Sequence, residues 1–201
     1  MEPFDIERAE APCGLLDDAS QVLVGRDVRV VERAPTDAQR SIALELAEAG
    51  GVVHARVFDF EGALESAHRA AAIGIVRRAL ATEWAPEDAA AMRVFPRAER
   101  SAGALPAPWP GALRIAVMEP PYRLSPAPRI GFFEAWLDAW LGPAAYERLA
   151  AHPPAIDVRA HGPEVCPTFF AAGLEWWGAY LLTFRSGDAS TIVALTASST
   201  D

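Results

Sequence analysis

Trp176-Trp-Gly-Ala-Tyr-Leu-Leu-Thr-Phe184 and Thr191-Ile-Val-Ala-Leu-Thr-Ala197 are joined by Arg185-Ser-Gly-Asp-Ala-Ser190. The outer runs are rich in β-branched and aromatic residues and the join holds turn formers, which predicts a C-terminal β-hairpin. Strand alternation puts Trp177, Ala179 and Leu181 on one side and Trp176, Tyr180 and Leu182 on the other. Both sides are apolar. Such a strand pair needs cover on each face, so it belongs at the centre of a layered structure or beneath a partner.

Upstream segments supply the cover. Ile130 to Leu149 carries the clearest helical period, with Phe133, Trp136, Leu137, Trp140 and Leu141 at spacings of three and four. Glu134 and Asp138 share another face, and Gly142-Pro143 is placed to split the segment into two helices. Leu64 to Glu83 reads as a second helix with an Ala72, Ile73, Val76 and Leu80 stripe, flanked by Glu65, Arg69 and Arg77. A third begins at Thr36, three residues before Gln39 in capping-box spacing, and stops at Gly50-Gly51. Val52 to Phe58 reads as a strand, with Val53, Ala55 and Val57 opposite His54, Arg56 and Phe58. Val22 to Val31 is one bulged strand or a hairpin turning through Gly25-Arg26-Asp27, and Ile156 to Ala160 is a short strand.

The middle breaks this pattern. From Pro96 to Pro128 prolines are dense and predict loop, interrupted by Leu113 to Met118 as a short edge strand. Residues 1–20 lack periodicity and read as an irregular arm. The expected fold is therefore α+β: helices on a mainly antiparallel sheet, with a C-terminal hairpin and long Pro-rich central loops. A single domain spanning 1–201 is expected, since a 201-residue chain that is 51% hydrophobic buries roughly 70% of its unfolded surface.

Charge narrows the partners. Twenty-seven acids against 18 arginines give a net charge of −9, and the chain has neither lysine nor asparagine. A surface this acidic repels phosphate, which argues against nucleic acid. Cys13 and Cys166 are too few and too far apart for a disulfide framework, so a reducing, cytoplasmic setting is expected. The acidic N-terminus shows no secretory signal, and no apolar run approaches the ~18 residues of a membrane span.

Catalytic signatures are sparse. Cys166 follows His161 by five positions in His-Gly-Pro-Glu-Val-Cys-Pro, which admits a thiolate nucleophile with a base, or a buried cysteine beside a surface loop. Asp59 and Glu61 fall on one face of a strand end, where two carboxylates can bind a cation or share a proton; a solvated strand end is the plainer reading. His54 falls on the opposite face from Asp59, and the histidines at 54, 68, 152 and 161 have no zinc spacing. No Gly-x-Gly-x-x-Gly, P-loop or Gly-x-Ser-x-Gly motif is present, so no cofactor and no metal are expected.

Aromatic residues concentrate in the last third, and rings rimmed by acids suit a protein-binding surface. The sequence-level expectation is an intracellular, immunity-type binding protein that neutralises a basic partner such as a bacterial nuclease toxin. Glu134, Asp138, Trp140, Trp176 and Asp188 are its expected contacts. A small cysteine- or carboxylate-dependent hydrolase and a self-assembling subunit, possible as a homodimer through the hairpin, stand as alternatives.

Overall fold

Ala179–Ser186 (β5) and Thr191–Ser198 (β6) form the antiparallel hairpin, with Leu182 opposite Leu195 and Phe184 opposite Val193. The structure is a computed structural model that describes residues 22–24, 27–83, 109–119, 128–151, 155–162, 165–176, 179–186 and 189–198. The other strands are Val22–Val24 (β1), Val28–Arg33 (β2), Val53–Gly62 (β3) and Ile156–Ala160 (β4). All six form one sheet in the order β1-β2-β3-β6-β5-β4, with every neighbouring pair antiparallel.

Helices cover both faces of the hairpin. Asp37–Glu48 (α1), Trp109–Met118 (α3), Phe132–Leu141 (α4) and Ala145–Ala150 (α5) line one side. Ile42, Leu46, Leu113, Phe132, Phe133 and Trp136 meet Ala55, Val57, Leu182, Phe184, Val193 and Leu195 there. Leu64–Glu83 (α2) and Pro167–Trp176 (α6) cover the other. On that side Ala67, Ala71, Ile75, Val76, Leu80, Phe169 and Phe170 pack on Val28, Val30, Phe58, Leu181, Ile192 and Ala194. The fold is α+β, as the element order implies, and the hairpin needs no second copy to cover its faces.

Local chemistry explains the boundaries. Thr36 and Gln39 close a reciprocal capping box: Thr36 Oγ1 accepts from the Gln39 amide at 3.2 Å, and Gln39 Oε1 from the Thr36 amide at 2.9 Å. The Gln39 side-chain amide also donates to the Ala139 carbonyl, tying α1 to α4. Gly142-Pro143 separates α4 from α5, and the Asp138 carboxylate accepts the Ala145 amide at the start of α5. Val22–Val24 and Val28–Arg33 are two antiparallel strands and not one bulged strand, with Val24 opposite Arg29.

Two sequence expectations fail. Leu113–Met118 lies in helix α3, not in an edge strand: Leu113, Ala116 and Val117 are buried at helical spacing while Arg114 and Ile115 face out. Pro110 sits in the first turn, where amides have no intrahelical acceptor and proline costs nothing. Trp176 ends helix α6 and does not begin β5, because the period-two pattern starts only at Ala179. Residues 96–108 and 120–127, the arm 1–20, Cys13, His152 and Trp177 lie outside the described residues.

Gly62 fixes the turn from β3 into α2. Its φ is +110°, and a Cβ there would stand 2.0 Å from the Asp27 carbonyl oxygen, which accepts the Ala63 amide. Gly62→Ala is expected to cost about 2 to 4 kcal/mol, the range for a side chain at a strained, closely packed φ > 0 position. Urea denaturation of the two proteins measures it.

Candidate functional site

Position 68 lies within the apolar side of α2, between Leu64 and Ala72, and carries a histidine. A buried imidazole needs partners for both ring nitrogens. His68 Nδ1 lies 2.7 Å from Thr183 Oγ1 on β5. His161, just past β4, places its Nε2 2.8 Å from the same oxygen. Its backbone amide also donates to the Leu181 carbonyl, which extends the β4–β5 ladder and aims the ring. One hydroxyl thus joins two imidazoles. Thr183 is 0% exposed and His68 1%, while His161 is half-buried.

Charged groups surround the trio. Asp157 on β4 puts Oδ2 3.8 Å from His68 Nε2, and Arg159 holds that carboxylate with two bonds of 3.0 and 3.2 Å. Glu65 lies 3.6 Å from Arg159 and 3.7 Å from Arg69. Alternation accounts for the grouping: Asp157, Arg159 and Thr183 all point to the α2 side, while Ile156, Val158, Leu182 and Phe184 point to the other core.

Electrostatics orders the protons. The hydroxyl has one proton to donate and lone pairs to accept. If His68 carries its hydrogen on Nε2, an N–H faces Asp157; the other tautomer would aim a lone pair at a carboxylate. We therefore assign the chain His161 Nε2–H to Thr183 Oγ1–H to His68 Nδ1, with His68 Nε2–H directed at Asp157. Carboxylate, imidazole and hydroxyl stand in the order of a hydrolase triad. The hydroxyl is nonetheless sealed from solvent and held between the two imidazoles, so it has no line of attack on a substrate.

Burial depresses both histidines to about 4. For His68 desolvation dominates; Asp157 and Glu65 oppose it, and Arg159 and Arg185 reinforce it. For His161 desolvation again leads, reinforced by His68, Arg69 and Arg159.

The other end of α2 is also fastened by polar groups. Glu32 of β2 is buried and accepts from Arg78 at 2.9 and 3.1 Å, with Arg56 of β3 at 3.2 Å. Desolvation pulls the Arg56 guanidinium below its ordinary value, against the attraction of Glu32.

The sequence candidates are dispersed. Cys166 is fully buried among Phe169, Phe170 and the apolar side of α2, which removes the thiolate reading. His161 serves the hydroxyl of Thr183 at its Nε2. Asp59 is ion-paired with Arg33 and Glu61 is exposed; no group of three or more His, Cys, Asp or Glu among the described residues is arranged to hold a metal. Trp140 belongs to the core and offers no surface contact. Glu134 lies at the surface, paired with Arg114 at 2.6 Å, and Asp138 is exposed beside the cap of α5. The Trp176 side chain and Asp188 lie outside the described residues. Sequence reasoning missed His68 and Thr183. The available signal was a histidine within the apolar side of a helix.

Neither protein families, curated proteins nor solved structures match the chain. No helix among the described residues is long and apolar enough to cross a membrane.

Two outcomes follow from this geometry. Unfolded histidines take up protons near pH 6.5, but these two stay neutral until about 4 when folded, so between those values the unfolded state binds more protons. Stability therefore falls as pH drops from about 6.5 to 4, by roughly 1.4 kcal/mol per pH unit for each histidine. Urea midpoints across that range measure it, and His161→Gln should remove one histidine's share of the slope. Thr183→Val should cost about 1 to 3 kcal/mol by stranding buried ring nitrogens, while Thr183→Ser keeps most of that stability.

Proposed function

We propose that this chain is a binding protein of the immunity type, which neutralises a basic protein partner through the outer surface of its α1, α3, α4 and α5 layer. The observation that carries this reading is where large apolar side chains stay exposed. Among the described residues these are Leu44 at 60% and Ile130 at 99%, with Ile115 and Tyr146, and all four lie in that layer. Two ion pairs link their neighbourhoods: Arg129 with Glu45 at 3.0 Å, and Arg114 with Glu134. The Tyr146 ring meets Phe133 edge-on, and Arg114 lies over the same Phe133.

Carboxylates dominate the same surface. Asp37, Glu45, Glu48, Glu119, Glu134, Asp138 and Glu147 stand against Arg40, Arg114, Arg129 and Arg148. Three of those arginines face carboxylates of their own layer, which leaves a negative field outward. Apolar anchors in an acidic rim suit a cationic partner: the apolar groups supply desolvated contact, and the charge steers encounter. The sealed Cys166 and Thr183 weigh against the hydrolase alternative. Glu134 and Asp138 remain contact residues in this proposal; Leu44, Ile115, Ile130 and Tyr146 take the anchoring role first assigned to tryptophans.

Coexpression of the tagged chain with the products of its neighbouring genes, followed by pull-down, tests the reading. The expected result is a stoichiometric basic partner whose association slows as salt rises. Leu44→Asp combined with Ile115→Asp should weaken that complex by a hundredfold or more while leaving the unfolding midpoint nearly unchanged. Exposed Glu48→Arg and Glu147→Arg should slow association several-fold with little effect on dissociation. Recovery of no partner, or of one indifferent to all four substitutions, would falsify the proposal.

A further inference from the structure

The shared hydroxyl of Thr183 is placed at an edge that can come away. Strand β4 is five residues long, ends the sheet and pairs with β5 alone among the described strands. Just beyond it, His161 is fixed through its backbone to Leu181 and through its ring to Thr183. From above, His68 of α2 reaches the same hydroxyl. The hydroxyl therefore joins three elements: the end of β4, the centre of β5 and the first half of α2.

We propose that His68, Thr183 and His161 form an acid-operated latch, which holds the β4 edge closed while both imidazoles are neutral and releases it when they take up protons, before the rest of the fold opens.

The charge around the latch sets its direction. From α2 it is faced by Glu65 and Arg69, from β4 by Asp157 and Arg159, and from β5 by Arg185. On β6 the residues turned to this face, Ile192, Ala194 and Thr196, carry no charge. Two carboxylates thus stand against three guanidinium groups, and Asp157 is already engaged by Arg159. Two added protons deepen a positive excess within a buried corner. Protonation also breaks the relay itself, because a doubly protonated His68 has no lone pair to accept the Thr183 hydroxyl. The histidines titrate near pH 6.5 once exposed and near 4 while closed, so acid in that window favours the open edge.

The central pairing β3–β6 lies two strands away from β4 and contains neither imidazole that bonds Thr183. The latch therefore predicts a local event, separable from global unfolding.

Amide hydrogen exchange, corrected for intrinsic rate and followed residue by residue from pH 7.5 to 4.5, tests this without any partner. It is thus independent of the binding proposal. Opening of Asp157 to Ala160 should rise about a hundredfold per pH unit below 6.5, tenfold for each histidine exposed. The amides of Val53 to Phe58 and Ile192 to Ala197, which exchange only when the whole fold opens, should stay better protected than those of β4 at every pH in the range. In His161→Gln the β4 dependence should drop to about tenfold per unit, and in His68→Gln likewise. Ring-proton NMR of the unmodified protein supplies a readout should His68→Gln fail to fold, with both closed-state rings staying neutral well below pH 6. Protection at β4 equal to that of β3 and β6 throughout the range, no acid dependence at β4, or a β4 slope unchanged by His161→Gln would each overturn the latch.

Discussion

Helix α2 lies across the sheet and is fastened by buried polar contacts at two points. One is His68 on Thr183, the other Arg78 on Glu32. Between them Ala70, Ala71 and Ala72 are buried, and Ala67 and Ala79 are buried just beyond the two points. Small side chains let the helix sit close to the strands, but they fix neither its rotation nor its position along its axis. Apolar contact alone tolerates sliding. Hydrogen bonds at separated points do not, since any slide strands a buried donor or acceptor. The register of α2 is thus set by polar groups whose own net contribution to stability is modest.

That arrangement divides the molecule's chemistry. The α2 side of the sheet holds His68 and Glu32 in enclosed contacts, where burial keeps the imidazole neutral and Arg78 serves as a structural donor. The opposite layer buries large rings inward and leaves Leu44, Ile115, Ile130 and Tyr146 outward among carboxylates. Reactive-looking groups are enclosed and adhesive-looking groups are presented. A hydroxyl beside an imidazole and a carboxylate is catalytic only where a substrate can reach it; Thr183 has the neighbours of a nucleophile without the access.

Much of the fold was legible because its signals are local. Thr36 with Gln39, Gly50-Gly51 and Gly142-Pro143 are backbone instructions that act within a few residues, and each marks a boundary found in the structure. The period of Phe132 to Leu141 and the bounds of Leu64–Glu83 were equally plain. Leu113 to Met118 misled because six apolar-rich residues fit either period, and prolines nearby looked like breakers when one of them was starting a helix. Trp176 misled because aromatic pairs suggest strands, whereas Trp176 closes a helix. The candidate site was the least legible part. Positions 68, 161 and 183 are brought together by cross-strand pairing and helix placement, which no spacing along the chain encodes. Proximity of Cys166 to His161 in sequence carried no such information, and packing sent them to different tasks.

The order β1-β2-β3-β6-β5-β4 sets two three-stranded meanders side by side with their last strands in contact. Val53 of β3 therefore meets Ala197 of β6, a neighbour made more than a hundred residues later on the ribosome. Until that strand emerges, β3 has one flank open in the middle of what will become the sheet, and an open flank is an invitation to pair with another nascent chain. The arrangement gives synthesis a delay: the seam closes only once β6 has emerged, more than a hundred residues after β3, and a chaperone holding the first meander would have its longest watch over β3.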